Sequence, residues 1–226
     1  MKLGVLFSGG KDSVFACWMA MQYEEVACLI SVISENEHSY MFHTPNVNLS
    51  ALQAEAAGIP QVRIETPGEK EAELEDLKKG IEEAVERYGI GGIVTGAVMS
   101  VYQATRIQRI CHELDICCFS PLWYTDQEEY MQKIISSGFK VIIAGVFSYP
   151  FDEGWLGREI DGKMIEELKV LSEKYEITLS GEGGEYESFV LDAPFFSKRI
   201  MIDESESFCR NHNGRFIIRQ AHLEDK

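Results

Sequence analysis

The 226-residue sequence is short of positive charge, of proline and of long apolar runs, and each shortage closes off a class of protein. Lysine and arginine total 21 against 37 aspartate and glutamate, a formal net charge of −16. The summed field repels phosphate backbones, so nucleic acid is not an expected partner. The strongest apolar stretches, such as Val141 to Phe147, fall far short of the ~20 residues a membrane-spanning helix needs. The N-terminal run Leu3 to Phe7 is too short for the core of a signal peptide and leads straight into Ser8-Gly9-Gly10-Lys11-Asp12. A cytoplasmic protein with no membrane partner is the expectation. The six cysteines, at positions 17, 28, 111, 117, 118 and 209, include no C-x-x-C pair, which excludes a zinc ribbon and a redox dithiol. Each sits in or beside an apolar run, as small buried hydrophobes do in a reducing compartment. With 6 prolines, 19 glycines, 45% apolar and 26% charged residues, the composition is neither disordered nor fibrous. A folded chain of this length buries roughly 70–75% of its unfolded surface, enough for a core without disulfides or structural metal.

What is present is an alternation of short β-branched runs with amphipathic stretches, the pattern of a parallel sheet covered by helices. Strands are expected at Lys2–Phe7, Glu25–Ser34, Gln61–Glu65, Gly92–Thr95 and Lys140–Val146, with helices at Ser13–Tyr23, Val47–Ala57, Pro67–Tyr88, Val101–Leu114 and Asp126–Ser136. The third helix is to be capped by Thr66, with Pro67 at its first position and Glu69 closing a capping box. Its apolar stripe, Leu74, Leu77, Ile81, Val85 and Tyr88, keeps helical spacing and leaves the acidic residues a solvated face. After Pro150 the rhythm changes to one helix, about Gly162–Lys174, a glycine-rich segment, and strands at Ser188–Leu191, Lys198–Ile202, Ser207–Arg210 and Arg215–Arg219. Asn211-His212-Asn213-Gly214 is a hairpin signal between the last two. A smaller α+β region from about residue 150 follows.

Three segments carry chemistry. Ser8-Gly9-Gly10-Lys11-Asp12-Ser13 follows the first strand and opens a helix, so its N–H groups can converge on an anion at a helix N-terminus. Glycine permits close backbone approach, Lys11 adds charge and the serines add hydroxyls. The loop is not a Walker A motif, because the four-residue spacer before Gly-Lys is missing. Gln103 and Arg106 stand three apart on the helix that starts near Val101 and project from one face, Arg106 able to form either a surface salt bridge or a bidentate anion clamp. Gly181-Glu182-Gly183-Gly184-Glu185-Tyr186-Glu187-Ser188 gathers three carboxylates before a strand, where extended chain turns Glu185 and Glu187 to the same side. Such a cluster is either a solvated acidic turn or a site that needs a cation.

SGGKDS resembles the PP-loop of the N-type ATP pyrophosphatases, adenine nucleotide alpha hydrolases that cleave ATP to AMP and pyrophosphate. MFHTPN (41–46), GAVMSVYQATRIQRIC (96–111), PLW (121–123), LGREID (156–161) and GEGGEYESFVLDAPFF (181–196) together resemble one branch, the diphthine–ammonia ligases or diphthamide synthetases, from residue 1 to about 220. Eukaryotic members carry extra C-terminal domains, so the likeness is to the compact archaeal form. The implied fold is α/β: a doubly wound parallel-sheet nucleotide-binding domain of the HUP/PP-loop type at residues 1–149, then a smaller α+β substrate domain at 150–226. Ligands in such sheets bind at the carboxyl ends of the strands. Ser8 to Ser13, Met41 to Asn46, Gly96 to Arg106 and Phe147 to Asp152 follow the expected first, second, fourth and fifth strands.

The resemblance implies that the carboxylate of diphthine, a modified histidine of translation elongation factor 2, attacks the α-phosphorus of ATP. Pyrophosphate leaves, and ammonia then displaces AMP from the acyl-adenylate. It further implies ATP, with Mg²⁺, as the cofactor set, and elongation factor 2 and ammonia or ammonium as partners; a homodimer stays open. Nucleotide contacts are then expected from Ser8, Gly9, Gly10, Lys11, Asp12, Ser13, His43, Gly96 and Gln103. Catalytic roles fall to Lys11, Asp12, Arg106, Glu185 and Glu187, with Arg106 on the α-phosphate or the substrate carboxylate. Glu182, Gly183, Gly184 and Tyr186 are to hold the substrate, whose fixed positive charge calls for carboxylates or aromatic faces such as Tyr186 and Trp123. The metal ligands are left open. Two other readings of the loop are a tRNA-modifying adenylating enzyme, disfavoured by the net charge and the missing cysteine pairs, and a noncatalytic ATP-binding module like the universal stress proteins, which lack this loop.

Overall fold

The computed structural model describes residues 1–34, 45–68 and 72–226. Five strands, β1 (Lys2–Leu6), β2 (Glu25–Ser34), β3 (Gln61–Thr66), β4 (Gly92–Val94) and β5 (Cys117–Phe119), pair in parallel in the order β3-β2-β1-β4-β5. The order grows outward from β1 in both directions, so a crevice opens where the chain switches sides, at the carboxyl ends of β1 and β4. Apolar helix stripes cover both faces. On one side, Leu77, Ile81 and Ala84 of α3 (Ala72–Tyr88) and Ile107 and Ile110 of α4 (Val101–Glu113) pack on β2, β3 and β4. On the other, Val14, Phe15 and Cys17 of α1 (Lys11–Met21) join Tyr130, Met131 and Ile134 of α5 (Gln127–Ser136) in a larger core. The doubly wound α/β architecture is therefore present.

The second sheet is antiparallel, in the order β7-β6-β9-β8, built from β6 (Lys140–Val146), β7 (Tyr186–Asp192), β8 (Lys198–Arg210) and β9 (Asn213–Asp225). Here the structure corrects the sequence reading: Lys140–Val146 is not the fifth strand of the parallel sheet. Every residue from Val141 to Val146 is buried, and a run buried on both faces reads the same in either kind of sheet. The true fifth strand, Cys117–Phe119, has only three residues at a partly exposed edge, too short to show a period. The antiparallel sheet thus begins inside the segment read as the first domain.

Two smaller corrections concern turns. The helix expected from Pro67 begins at Ala72; Thr66 ends β3, and Gly68, at a φ of 79°, cannot sit in a right-handed helix. Glu69 of the expected capping box lies outside the described residues. The strands expected at Lys198–Ile202 and Ser207–Arg210 are one strand, continued across an irregularity around Glu204. Asn211 and His212, both with positive φ, form the two-residue turn between β8 and β9. Helix α6 (Gly162–Tyr175) lies where it was expected, capped by Asp161. Among the described residues, no helix is long and apolar enough to cross a membrane.

The two sheets meet at the loop after β1. The carbonyl of Gly9 accepts from Val190 N–H of β7 at 3.0 Å and from Gln53 Nε2 at 2.9 Å. Gln53, fully buried on α2 (Ser50–Ala57), also donates to the Val190 carbonyl at 2.7 Å. Lys11 N–H donates to Ser188 Oγ, also of β7, at 3.1 Å. Gly9 holds a φ of 83°, and a Cβ there would stand 2.4 Å from Gln53 Oε1. Gln53→Ala deletes both donated bonds and leaves a void, so it is expected to cost about 2–4 kcal/mol in urea unfolding. Gly9→Ala, which adds backbone strain to the collision, is expected to destabilise comparably.

Candidate active site

A cavity of about 420 Å³ lies at the crevice, closed by the segment that precedes β7. That volume is within the range of small-molecule sites. Its walls come from four places. Leu6, Ile30, Val32 and Ile107 give an apolar side; Ser8, Lys11, Asp12 and Ser13 give the loop after β1. Thr95, Gly96, Ser100 and Gln103 follow β4, and Ser180 to Gly184, Tyr186 and Glu187 close the remaining side. Gly96 is required where it stands, because a Cβ would lie 2.7 Å from the backbone of Asp12 and Ser13.

Helix α1 begins at Lys11, with no side-chain cap on its N-terminus. Within the loop, Ser8 N–H donates to Ser13 Oγ at 3.2 Å, and the Ser8 and Ser13 hydroxyls share a hydrogen bond of 3.2 Å. Gly10 N–H donates to Ser8 Oγ at 3.4 Å, and Ser188 takes the Lys11 N–H. Among the described residues the N–H groups of Asp12 and Ser13 have no acceptor. Two donors at a helix N-terminus, beside two hydroxyls, are left for an anion.

Lys11 is only 3% exposed and forms a wall of the site. Its Nζ donates to both carboxylate oxygens of Asp12 at 3.0 Å and to the Ser180 carbonyl, and stands 5.4 Å from the centre of the Tyr186 ring. Burial by itself would lower the Lys11 pKa, but Asp12, with Tyr186 and Glu182 behind it, outweighs burial and holds it above the ordinary value. Asp12 accepts a further bond of 2.6 Å from the hydroxyl of buried Tyr130.

The three carboxylates part company. Glu187 is half-buried, faces the cavity and makes no hydrogen bond among the described residues. Burial first, and then the repulsion of Asp12 and Glu182, push its carboxyl from 4.5 up to about 7 against the pull of Lys11. Glu182 also lines the cavity; burial and Asp12 raise its pKa, while Lys11 and the Met99 N–H, donating at 3.1 Å, oppose the rise. Glu185 lies outside the cavity. It is 7% exposed and accepts from Thr178 N–H at 2.6 Å and Thr178 Oγ1 at 2.9 Å, bonds that hold the turn together. The expected same-side pair fails because Glu185 precedes the strand and the alternation starts only at Tyr186.

Of the other residues expected at the site, Gly183 and Gly184 line the cavity, and Tyr186 lines it with its hydroxyl already donated to Leu179. Gly9 and Gly10 shape the loop from behind. Arg106 lies outside the cavity: its guanidinium folds over its own Tyr102 ring, 3.4 Å from the centre, and Nη1 reaches the Tyr102 carbonyl. Its three-residue offset from Gln103 set a shared face but not the side chain's direction. Trp123 stands outside the walls, and His43 falls outside the described residues. Sequence reasoning missed Tyr130, Gln127 and Gln53. Gln127 Oε1 accepts from Ser180 N–H at 3.0 Å and Oγ at 2.9 Å, which fixes the carbonyl that Lys11 uses. These are single polar residues on helices, and nothing local marks them.

Family models and curated relatives match this chain over nearly its whole length. Residues 1–117 match the family model of the diphthamide synthase N-terminal domain, and residues 126–223 match that of the C-terminal domain. The diphthine–ammonia ligase of Bos taurus is 34% identical over 256 residues, covering 100% of this chain and 94% of its own length. That of Homo sapiens is 33% identical, with the same coverage of 100% and 94%. Relatives of comparable length therefore occur in mammals, and chain length does not single out an archaeal form. A solved chain from Methanocaldococcus jannaschii, described as a "predicted subunit of tRNA methyltransferase", superposes with a TM-score of 0.45 and 17% identity over 86% of this chain and 98% of its own, a likeness too slight to bear on function.

The raised Glu187 pKa makes a prediction about stability. A folded pKa of about 7 against 4.5 means the folded protein binds the proton more tightly. The stabilisation is complete below pH 4.5 and is lost as pH rises through about 7. Ionised Glu187 then costs roughly 3 kcal/mol. Glu187→Gln stays neutral, so thermal melts should find it more stable than the parent at about pH 8 and equal to it at about pH 4.5.

Proposed function

The chain belongs to the diphthamide synthase family, and from that premise we propose that it amidates diphthine on translation elongation factor 2 through an acyl-adenylate, consuming ATP and ammonia and releasing AMP and pyrophosphate. One observation carries the reading: one cavity joins a helix N-terminus and a buried lysine to a carboxylate of raised pKa that has no hydrogen-bond partner among the described residues. The apolar wall of Leu6, Ile30, Val32 and Ile107 suits the adenine ring. The N–H groups of Asp12 and Ser13, the Ser8 hydroxyl and Lys11 suit the phosphates. Asp12, which lines the cavity, would offer an oxygen ligand to Mg²⁺ bound with the triphosphate, and the ion would supply neutralisation of phosphate charge.

In the first step a carboxylate oxygen of diphthine bonds to the α-phosphorus as the bond to pyrophosphate breaks. A free carboxylate is a poor acyl donor, and the AMP leaving group makes it a good one. Charge that develops on pyrophosphate meets donors already in place, which avoids reorganisation. In the second step ammonium must lose a proton before its nitrogen can attack. Glu187, ionising near neutral pH, accepts that proton. Nitrogen then bonds to the acyl carbon, the C–O bond breaks with its electron pair onto AMP, and the nitrogen sheds a second proton. Glu182 offers negative charge to the fixed cation of the substrate. A cytoplasmic setting fits the six free thiols.

Incubation with ATP, ammonium and diphthine-bearing elongation factor 2 should yield the primary amide with equal AMP and pyrophosphate. Release of ADP and orthophosphate would contradict the mechanism, and ATP binding without pyrophosphate release would leave a noncatalytic module. Lys11→Met keeps the buried stem and removes the charge, so AMP formation should fall by about 10²–10³. Glu187→Gln should leave ATP affinity unchanged and slow amide formation by about 10².

A further inference from the structure

Two stretches, 96–105 (GAVMSVYQAT) and 116–125 (ICCFSPLWYT), carry no charged residue in a chain that is 26% charged. Part of each goes into the core, as Val98 and Leu122 do. The rest does not: Met99, Val101 and Tyr124 are 40%, 57% and 65% exposed. They lie beyond the carboxyl ends of β4 and β5, beside the cavity mouth, and the two stretches are tied together there. Tyr124 N–H donates to the Val98 carbonyl at 2.9 Å, and the Trp123 and Tyr124 rings meet edge to face at 5.2 Å. Met99 is bound to the site itself, its N–H on Glu182 and its sulfur accepting from Gln127 at 3.3 Å. Ser100 and Gln103 line the cavity while Val101 between them faces outward, so rim and wall are one piece of chain. Tyr124 also holds a φ of 55°, a left-handed conformation that a bulky residue rarely adopts, and it does so with its ring in solvent.

We propose that this uncharged rim is the docking surface for the protein substrate, whose polypeptide crosses Met99, Val101 and Tyr124 while the modified side chain enters past Glu182. The inference rests on the function proposed above, and three arguments support it. A cavity of about 420 Å³ admits a nucleotide or a side chain but no polypeptide, so the chain bearing that side chain must lie outside. Protein interfaces are depleted of charge at their centres and enriched in Tyr, Trp and Met, which is the composition of this rim. Charge complements at one point as well: Glu182, which lines the cavity behind the rim and holds the Met99 N–H, would face the fixed cation of the substrate side chain.

The test measures binding of the full chain to diphthine-bearing elongation factor 2 by interferometry, with ATP affinity and amide formation followed on the same samples. Val101→Glu adds an acid at the first residue of α4, where a helix tolerates it, and Tyr124→Asn keeps a residue that accepts the left-handed conformation. Each should weaken binding of elongation factor 2 at least tenfold while ATP affinity stays within twofold. Unchanged affinity for the factor, no binding by the parent chain, an equal loss of ATP affinity, or self-association abolished by both variants would each overturn the proposal. Intact binding without amide formation would count against the proposed reaction alone and leave the rim standing.

Discussion

A lysine ammonium that is 97% removed from solvent has to be matched by charge and by hydrogen-bond acceptors, and the cavity is organised around meeting that demand at Lys11. Asp12 supplies the charge, Ser180 a carbonyl and Tyr186 an aromatic face. Asp12 belongs to the start of α1, whereas Ser180 belongs to the segment leading into β7 and Tyr186 is the first residue of that strand. The ammonium therefore pins the parallel-sheet half to the antiparallel half at the point where the cavity opens. The residues behind it are equally committed. Tyr130 steadies Asp12, and Gln127 steadies Ser180, so both partners of Lys11 are themselves held by α5.

The same economy governs the loop. Serine hydroxyls occupy the N–H groups of Ser8, Gly10 and Lys11, which fixes the backbone and leaves the donors of Asp12 and Ser13 for a ligand. Preorganisation of this kind explains why a glycine-rich segment, free to adopt many conformations when unfolded, holds one here. Gln53 and Val190 grip Gly9 from opposite elements, and no residue larger than glycine fits between them.

Negative charge near that loop is graded by distance from compensation. Asp12 touches Lys11, Glu182 receives one backbone N–H, and Glu187, among the described residues, has the longer-range pull of Lys11 alone. Burial then acts hardest on the carboxylate with the least help, which is why Glu187 alone is brought to the edge of neutrality. Glu185, two residues away, turns from the cavity and accepts two bonds from Thr178. Two glutamates of one motif thus serve different purposes, one holding the turn and one facing the cavity.

The chemical composition of the site was legible along the chain, because the Ser8–Ser13 loop and the Glu182–Glu187 segment are contiguous and their residue types have local physical meanings. Helix periods were legible for a similar reason: of the stripe read in α3, Leu77 and Ile81 are fully buried and Leu74, Val85 and Tyr88 pack partly buried against the same core, which Ala84 joins. Tertiary structure decided what no window of sequence holds. It assigned Lys140–Val146 to the antiparallel sheet, since burial on both faces erases the period that would have told the sheets apart. It turned Arg106 onto Tyr102 and Glu185 onto Thr178, since a residue's position fixes its face while neighbouring groups fix where its side chain goes. It recruited Tyr130, Gln127 and Gln53 from distant helices, because hydrogen bonds across more than forty residues leave no mark until the chain has folded and brought the partners within about 3 Å.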